Sequence, residues 1–285
     1  MTDSVLSMSG VEMSFRGTSV LSDCTFDTER GTVTALVGSN GAGKSTLMSL
    51  AVGLLTPAKG EITALGQRVG QRGITPGMSY LAQHKPLYPR FTVTEMLRFG
   101  RSNNPSWDND YATELVEAAE VPMSARVKSL SPGHRTRVAL ALALGRRPEL
   151  LLLDEPLADL DPVARRDVAR TLMRDAAERG TTIILSSHVL SELVNVADQL
   201  LLLQDRHIRL SGAIDDVTEE HYLLVGSGDP GGVANGGSVI AEIHGSGGVA
   251  FVVRGPRPSP TGGWHVDDAS LDDVVLAYLS ARSAS

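Results

Sequence analysis

An α/β fold, with a mostly parallel sheet covered by helices, is predicted by three apolar segments that each run straight into polar residues. Val33–Val37 (VTALV) leads into GSNGAGKST, ELLLLDEP ends at Asp154-Glu155, and TTIILSS ends at His188. Continuous apolar runs of this length suit strands buried on both faces of a parallel sheet. Helical patterns between them supply the crossovers.

The chain opens with two strand-like segments, Val5–Met8 and Thr25–Thr28, the second ending at the turn Glu29-Arg30-Gly31. Between them lies Val11–Gly17, which contains Phe15. The stretch Gly38–Thr46 then fits G-x-x-x-x-G-K-[ST], and its position between a strand and a helix makes it a phosphate-binding loop. Gly38, Gly41 and Gly43 let the backbone adopt positive φ and approach an anion closely. The N–H groups of the loop, through Ser39, Asn40 and Ala42, turn inward, backed by the positive end of the helix that starts near Lys44. Lys44 adds a full charge for the β- and γ-phosphates of a nucleotide. The Ser45 hydroxyl, followed by Thr46, is a hard oxygen donor suited to Mg²⁺.

The helix after this loop breaks at Thr56–Gly60, EITALG reads as a short strand, and Met78–Ala82 as another that ends at Gln83. From Thr92 to about Arg126 the pattern turns helical, with Thr92–Glu95 as an N-cap and its carboxylate, and Thr113–Ala119 as a helical run. This reads as a helical insertion in a strand-rich core. A further helix starts where Ser131 can cap and Pro132 fits the first helical position, and it stops at Gly145.

Asp154 and Glu155 stand at the carboxyl edge of a buried strand, where open α/β sheets bind ligands. Asp154 can hold Mg²⁺ through water, and Glu155 can polarise a water for in-line attack on a γ-phosphate. His188 reaches the same edge, placed to sense or stabilise the transferring phosphoryl group. An amphipathic helix is expected over Pro162–Arg179, another over Leu190–Ala197, and a hairpin over Gln199–Leu210 turning at Gln204–His207. After Asp216 the composition shifts. Gly226–Gly248 is rich in Gly and Ser, β-like runs follow at Ser238–Ile243 and Val249–Arg254, and the apolar helix LDDVVLAYL comes near the end.

The whole chain has 285 residues, 42% hydrophobic and 21% charged, with a formal net charge of −7. An acidic total gives no electrostatic reason to expect nucleic-acid binding. The single cysteine, Cys24, excludes an intramolecular disulfide framework and fits a reducing compartment. No basic-then-apolar leader opens the chain, and its apolar runs fall far short of the roughly 20 residues that cross a bilayer. A cytoplasmic location is expected.

These motifs together resemble the ATP-binding subunits of ABC transporters, over about Val5–Gly212, three-quarters of the chain. The resemblance implies a P-loop cassette at residues 1–216, with an antiparallel β subdomain beside the parallel core and a helical insertion at about 84–130. A Gly-rich linker and a small α+β accessory domain would occupy residues 217–285. It further implies that Phe15 stacks on adenine, that Gln83 touches Mg²⁺ or the attacking water, and that Glu155 is the catalytic carboxylate. Lys44 and His188 would serve the transferring phosphate, and Asp161, in LADLD, would lie on a loop crossing to a second subunit. LSPGH (Leu130–His134) stands where the family has LSGGQ. Ser131 and Gly133 remain, whereas Pro132 loses a backbone donor and His134 replaces a glutamine.

By the same resemblance, two cassettes close around two ATP with Mg²⁺. The dimer drives separate integral-membrane permease subunits, through which the chain is held at the inner face of the cell membrane. The tail is similar to those of drug-export ATPases, which gives export as the expected direction. The alternative reading is a soluble ABC-type ATPase acting on ribosomes or DNA. Such proteins usually carry two cassettes or a long coiled coil, and this chain has one P-loop and no long heptad stretch.

Overall fold

The three apolar runs lie side by side at the centre of one sheet. In the computed structural model, β3 (Val33–Val37), β8 (Thr182–Ser187) and β7 (Leu150–Leu153) pair in parallel, flanked by β9 (Gln199–Gln204) and β6 (Met78–Leu81), also parallel. The edge strand β10 (His207–Ala213) returns antiparallel on β9, completing the order β10-β9-β3-β8-β7-β6. Described are residues 4–70, 75–189, 193, 196–226, 230, 233–234, 236–245, 248–259 and 263–281.

Alternation along these strands divides the core into two layers. Leu151, Leu153, Ile183, Leu185, Leu200 and Leu202 face helices α4 (Pro132–Leu144) and α5 (Pro162–Arg179). Leu150, Leu152, Ile184, Leu201 and Leu203 face α1 (Lys44–Ala51) and a four-stranded antiparallel sheet. All four leucines of β7 are fully buried. Each contributes on the order of 1.5–3 kcal/mol, and this burial fixes where the polar Asp154-Glu155 must emerge.

The antiparallel sheet has the order β2-β1-β4-β5, from β1 (Ser4–Phe15), β2 (Thr18–Glu29), β4 (Lys59–Ala64) and β5 (Gln67–Arg68). The first two strands are much longer than Val5–Met8 and Thr25–Thr28, and Val11–Phe15 belongs to the hairpin itself. Irregularities in the β1–β2 register between Met8 and Val11, and again up to Ser14, interrupt the strict alternation that marks a strand in sequence. The chain reverses at Arg16-Gly17.

The helical insertion holds α2 (Val93–Asn103) and α3 (Asn109–Glu117). Thr92 and Glu95 form the expected capping box, and the Thr92 N–H holds the Glu95 carboxyl below the usual carboxylate range. A buried network ties α3 to the core: Tyr111 donates to Asp175 (2.8 Å), as does Thr181 (2.8 Å), while the Arg147 and Arg179 guanidinia lie over the Tyr111 ring at 4.2 and 3.8 Å from its centroid. Ser131 caps α4 and Pro132 occupies its first turn; Gly145 ends it in a right-handed conformation.

Beyond β10, α6 (Ile214–Glu219) precedes a third sheet of order β12-β13-β11-β14, all antiparallel. Its strands are β11 (His221–Val225), β12 (Ser238–Gly245), β13 (Gly248–Arg254) and β14 (His265–Asp268). The runs expected near Ser238 and Val249 are β12 and β13; α6, β11 and β14 were not foreseen. The last helix, α7 (Leu271–Ser280), buries Leu271, Val274 and Val275 in the same cluster as the strands of the six-stranded sheet. The helix expected over Leu190–Ala197 lies largely outside the described residues.

Candidate functional site

The loop after β3 passes very close to its neighbour. A Cβ at Gly38 would fall 2.4 Å from the Leu203 carbonyl oxygen of β9, so only glycine fits there. Gly43, at φ 110°, takes the left-handed conformation that starts α1, and its carbonyl accepts the Leu47 N–H at 2.8 Å. Lys44 follows, with its side chain 5% exposed. Its ammonium donates to the carbonyls of Gly38 (2.7 Å) and Ser39 (3.2 Å). Burial pushes the Lys44 pKa down, and the nearby Glu155 and Asp154 carboxylates oppose that shift.

Glu155 is the meeting point of the expected site residues. Its Oε2 accepts from Gln83 Nε2 at 3.2 Å; its Oε1 lies 3.2 Å from His188 Nδ1 and 3.9 Å from Lys44 Nζ. These groups come from the ends of β6, β7 and β8 and from the loop after β3, all at the carboxyl edge of the sheet. They line a cleft of about 420 Å³ together with Asn40, Gly41, Gly43, Ser45 and Thr46, and Val20 of β2 borders it.

Glu155 has φ 47°, a left-handed conformation that costs a non-glycine residue on the order of 1–2 kcal/mol. Ser186, which the sequence reading did not single out, holds it there. Its hydroxyl accepts the Glu155 N–H at 2.9 Å and donates to Asp154 Oδ1 at 2.7 Å. Asp154 is 1% exposed, so that bond satisfies an otherwise buried carboxylate oxygen. A serine inside an apolar strand, two residues before His188, is the signal that could have found it.

Ser131, Gly133 and Asp161 do not line this cleft. Ser131 accepts the His134 N–H (3.1 Å) at the start of α4, and Asp161 accepts the N–H groups of Val163 (2.9 Å) and Ala164 (3.0 Å) at the start of α5. The Ala164 N–H is the main cause holding the Asp161 carboxyl below its ordinary range. Phe15 also stays off the cleft lining. It is 44% exposed at the β1–β2 turn, which removes it from the core. Another cavity, of about 400 Å³ between α3, α4 and α5, holds none of these residues, and its Arg137 and Arg170 are paired with Asp167.

The family described as "ABC transporter" matches residues 21–158. The chain is similar to the Nod factor export ATP-binding protein I of Rhizobium sp. (strain N33), with 36% identity over 228 residues, 78% of this chain and 75% of that protein. It is similar to the Fe(3+) ions import ATP-binding protein FbpC 3 of Rhodococcus jostii (strain RHA1), with 32% identity over 278 residues, 91% of this chain and 75% of that one. A solved structure of an ATP binding subunit of an ABC transporter superposes with TM-score 0.67 at 27% identity, covering 75% of this chain and 92% of the other. Fold, cleft and kinship agree, and the chain belongs to the ATP-binding subunits of ABC transporters, a family of ATPases.

Proposed function

We propose that this chain is a motor subunit that closes in pairs around two ATP and drives a separate integral-membrane permease in the direction of export. The convergence of Gln83, His188 and Lys44 on the Glu155 carboxylate carries the catalytic part of this reading. Glu155 takes a proton from the attacking water as it moves on the γ-phosphate. Lys44, turned across its loop, swings from the Gly38 and Ser39 carbonyls to the phosphate oxygens. His188 donates to the transferring phosphoryl group, and Gln83 orients the water.

The donors Ser45, Gln83 and Asp154 are all oxygen-bearing, which suits a hard cation, and a few protein oxygens beside substrate phosphates are what Mg²⁺ takes. Mg²⁺, when bound there, neutralises charge on the β- and γ-oxygens. The ordered but off-cleft Ser131, Gly133 and Asp161 support the pairing, because their task falls on a nucleotide held by a second copy.

Next to the Gln83 loop, the rings of Tyr88, Phe91 and Phe99 cluster with centroids 5.0–6.3 Å apart, and Tyr88 and Phe99 are 51% and 40% exposed. This apolar patch supports docking of the permease there. Contact with the membrane is then made through the permease, at its inner face; no helix among the described residues is long and apolar enough to cross a bilayer. Export is supported by the likeness to the Nod factor export protein. Import is favoured by the longer alignment, 91% of this chain, with the Fe(3+) import protein.

Glu155→Gln tests the motor reading. It should retain ATP binding, lower turnover by ~10²-fold or more, and elute as a dimer with ATP and Mg²⁺. Unchanged turnover overturns the assignment. Inside-out vesicles carrying chain and permease decide direction: export accumulates substrate within them on ATP addition, and import empties them.

A further inference from the structure

Two contacts, two residues apart on one loop, fasten it to a second loop. Gln83 Nε2 donates to Glu155 Oε2 at 3.2 Å, and Lys85 Nζ donates to Asp159 Oδ2 at 2.5 Å. The first belongs to the site already described; the second has had no role. The Lys85 side chain is 5% exposed and that of Asp159 is 49% exposed, so a buried ammonium is met by a carboxylate reaching in from the surface. Lys85 also sits at φ 45°, a conformation that a lysine holds only where its surroundings impose it.

The backbone on both sides is turned to present these groups. The Lys85 N–H closes a turn on the Ala82 carbonyl (2.9 Å), and the Leu160 N–H closes one on the Leu157 carbonyl (3.2 Å) around Asp159. The start of α4 rests on the same place: a Cβ on Gly133 would lie 3.7 Å from Leu160 Cδ2 and 3.9 Å from the Asp159 carbonyl oxygen. The pair therefore stands where the Gln83 loop, the Leu157–Asp161 loop and the Ser131-Pro132-Gly133 turn meet.

We propose that Lys85 and Asp159 form a positioning link that makes these two loops move as one. This rests on the reading above, in which the Gln83 loop meets the permease and the Leu157–Asp161 loop meets the second cassette. Moving the Gln83 loop alone would leave a buried ammonium unpaired, which is strongly unfavourable, whereas the exposed side of the 157–161 loop can follow. A displacement at the permease then reaches the partner's site and Glu155 together. Neither Lys85 nor Asp159 touches reacting atoms.

The test is a double-mutant cycle in the full chain with Asp159→Asn, Lys85→Met and the pair; Met keeps the volume of the buried stem. Without nucleotide, hydrogen exchange at the backbone amide of position 85, corrected for intrinsic rate, should quicken about tenfold in either single variant, and the double should be no faster than the singles. In ATP turnover, each single should lower kcat about fivefold or more and bring the ATP dependence to a Hill coefficient near 1. KM should stay within about twofold, again with no further loss in the double. Effects that multiply in the double, or exchange unchanged from the parent chain, overturn the link. The exchange arm needs neither nucleotide nor partner. If Glu155→Gln forms no ATP-dependent dimer, the motor reading fails while exchange still decides the link; altered exchange with unaltered cooperativity and kcat overturns its coupling role.

Discussion

Ser186 and Glu155 are joined by a bond from the Glu155 N–H to the Ser186 hydroxyl at 2.9 Å, and that same hydroxyl donates to Asp154 at 2.7 Å. One side chain from β8 thereby sets the backbone of one acidic residue and the carboxylate of the other.

Ser186→Ala removes both bonds. A buried carboxylate oxygen and a backbone N–H lose their partner, which costs about 1–3 kcal/mol, and Glu155 is released from its left-handed conformation. The expected outcome is a lower melting temperature together with a drop of about tenfold or more in kcat, at nearly unchanged ATP affinity. Thermal melts and steady-state kinetics check it; a lower melting temperature with full kcat would leave Ser186 a stability residue only.

Phe15→Ala should scarcely change stability, by no more than about 0.5 kcal/mol, because the ring is exposed. If Phe15 turns to stack on adenine, ATP binding should weaken by roughly 1–3 kcal/mol, and Phe15→Tyr should preserve it. Calorimetric titration with ATP measures both. Unchanged affinity in Phe15→Ala would move the base to the Val20 side of the cleft.

The altered signature gives a pair of opposite outcomes. Pro132 occupies the first turn of α4, where its fixed φ fits and its missing N–H costs the helix nothing. Pro132→Gly should lower stability by about 0.4–1 kcal/mol through the unfolded chain and tighten ATP-driven dimerisation through a restored donor. Ser131→Ala removes the cap on the His134 N–H and, in the proposed pairing, a hydroxyl for the partner's nucleotide, so dimerisation should weaken. Dimer dissociation constants against ATP, in a Glu155→Gln background, read both; no change in either makes this turn a helix cap alone.

His221 sets a pH limit on the C-terminal part. It is fully buried, and its Nδ1 donates to the Val217 carbonyl at 2.6 Å, leaving Nε2 to accept from the Tyr278 hydroxyl at 3.1 Å. Burial pushes its pKa down from 6.5, reinforced by Arg254 and opposed by the Val217 bond and Glu220. A histidine with a depressed folded pKa takes up a proton more readily when unfolded, so its stabilisation is full above its unfolded pKa and is lost as pH falls through the folded one. The melting temperature should fall as pH drops below about 6.5, and His221→Gln should flatten that part of the curve. Parallel melts across this range decide it.

Much of this was legible because the signals are local. The loop Gly38–Thr46, the leucines before Asp154-Glu155 and the caps at Thr92 and Ser131 each carry their pattern within a few residues. Segments without such punctuation were missed. Ile214–Val225 runs from helix α6 into β11 with no glycine or proline between them, and β14 is only four polar-rich residues, HVDD. The segments read at Val5–Met8 and Thr25–Thr28 fall short of β1 and β2 because register irregularities break their alternation. Contacts such as Lys85–Asp159 and Ser186–Asp154 join residues 74 and 32 positions apart, and no local pattern can encode which hydroxyl or ammonium will arrive.

Helix α7 brings Leu271, Val274 and Val275 to the same cluster that holds Val33, Leu151 and Leu200. A chain leaving the ribosome therefore cannot finish its largest core when the nucleotide-binding motifs have all emerged. It must wait for α7, on the order of 4–15 s after Leu200 at ordinary elongation rates. Through that interval an apolar flank of the nascent cassette stays uncovered, and chaperone contact would be concentrated there. The tail thus governs the order in which the enzyme is assembled, since the cassette core is completed only by a segment made after all of its nucleotide-binding motifs.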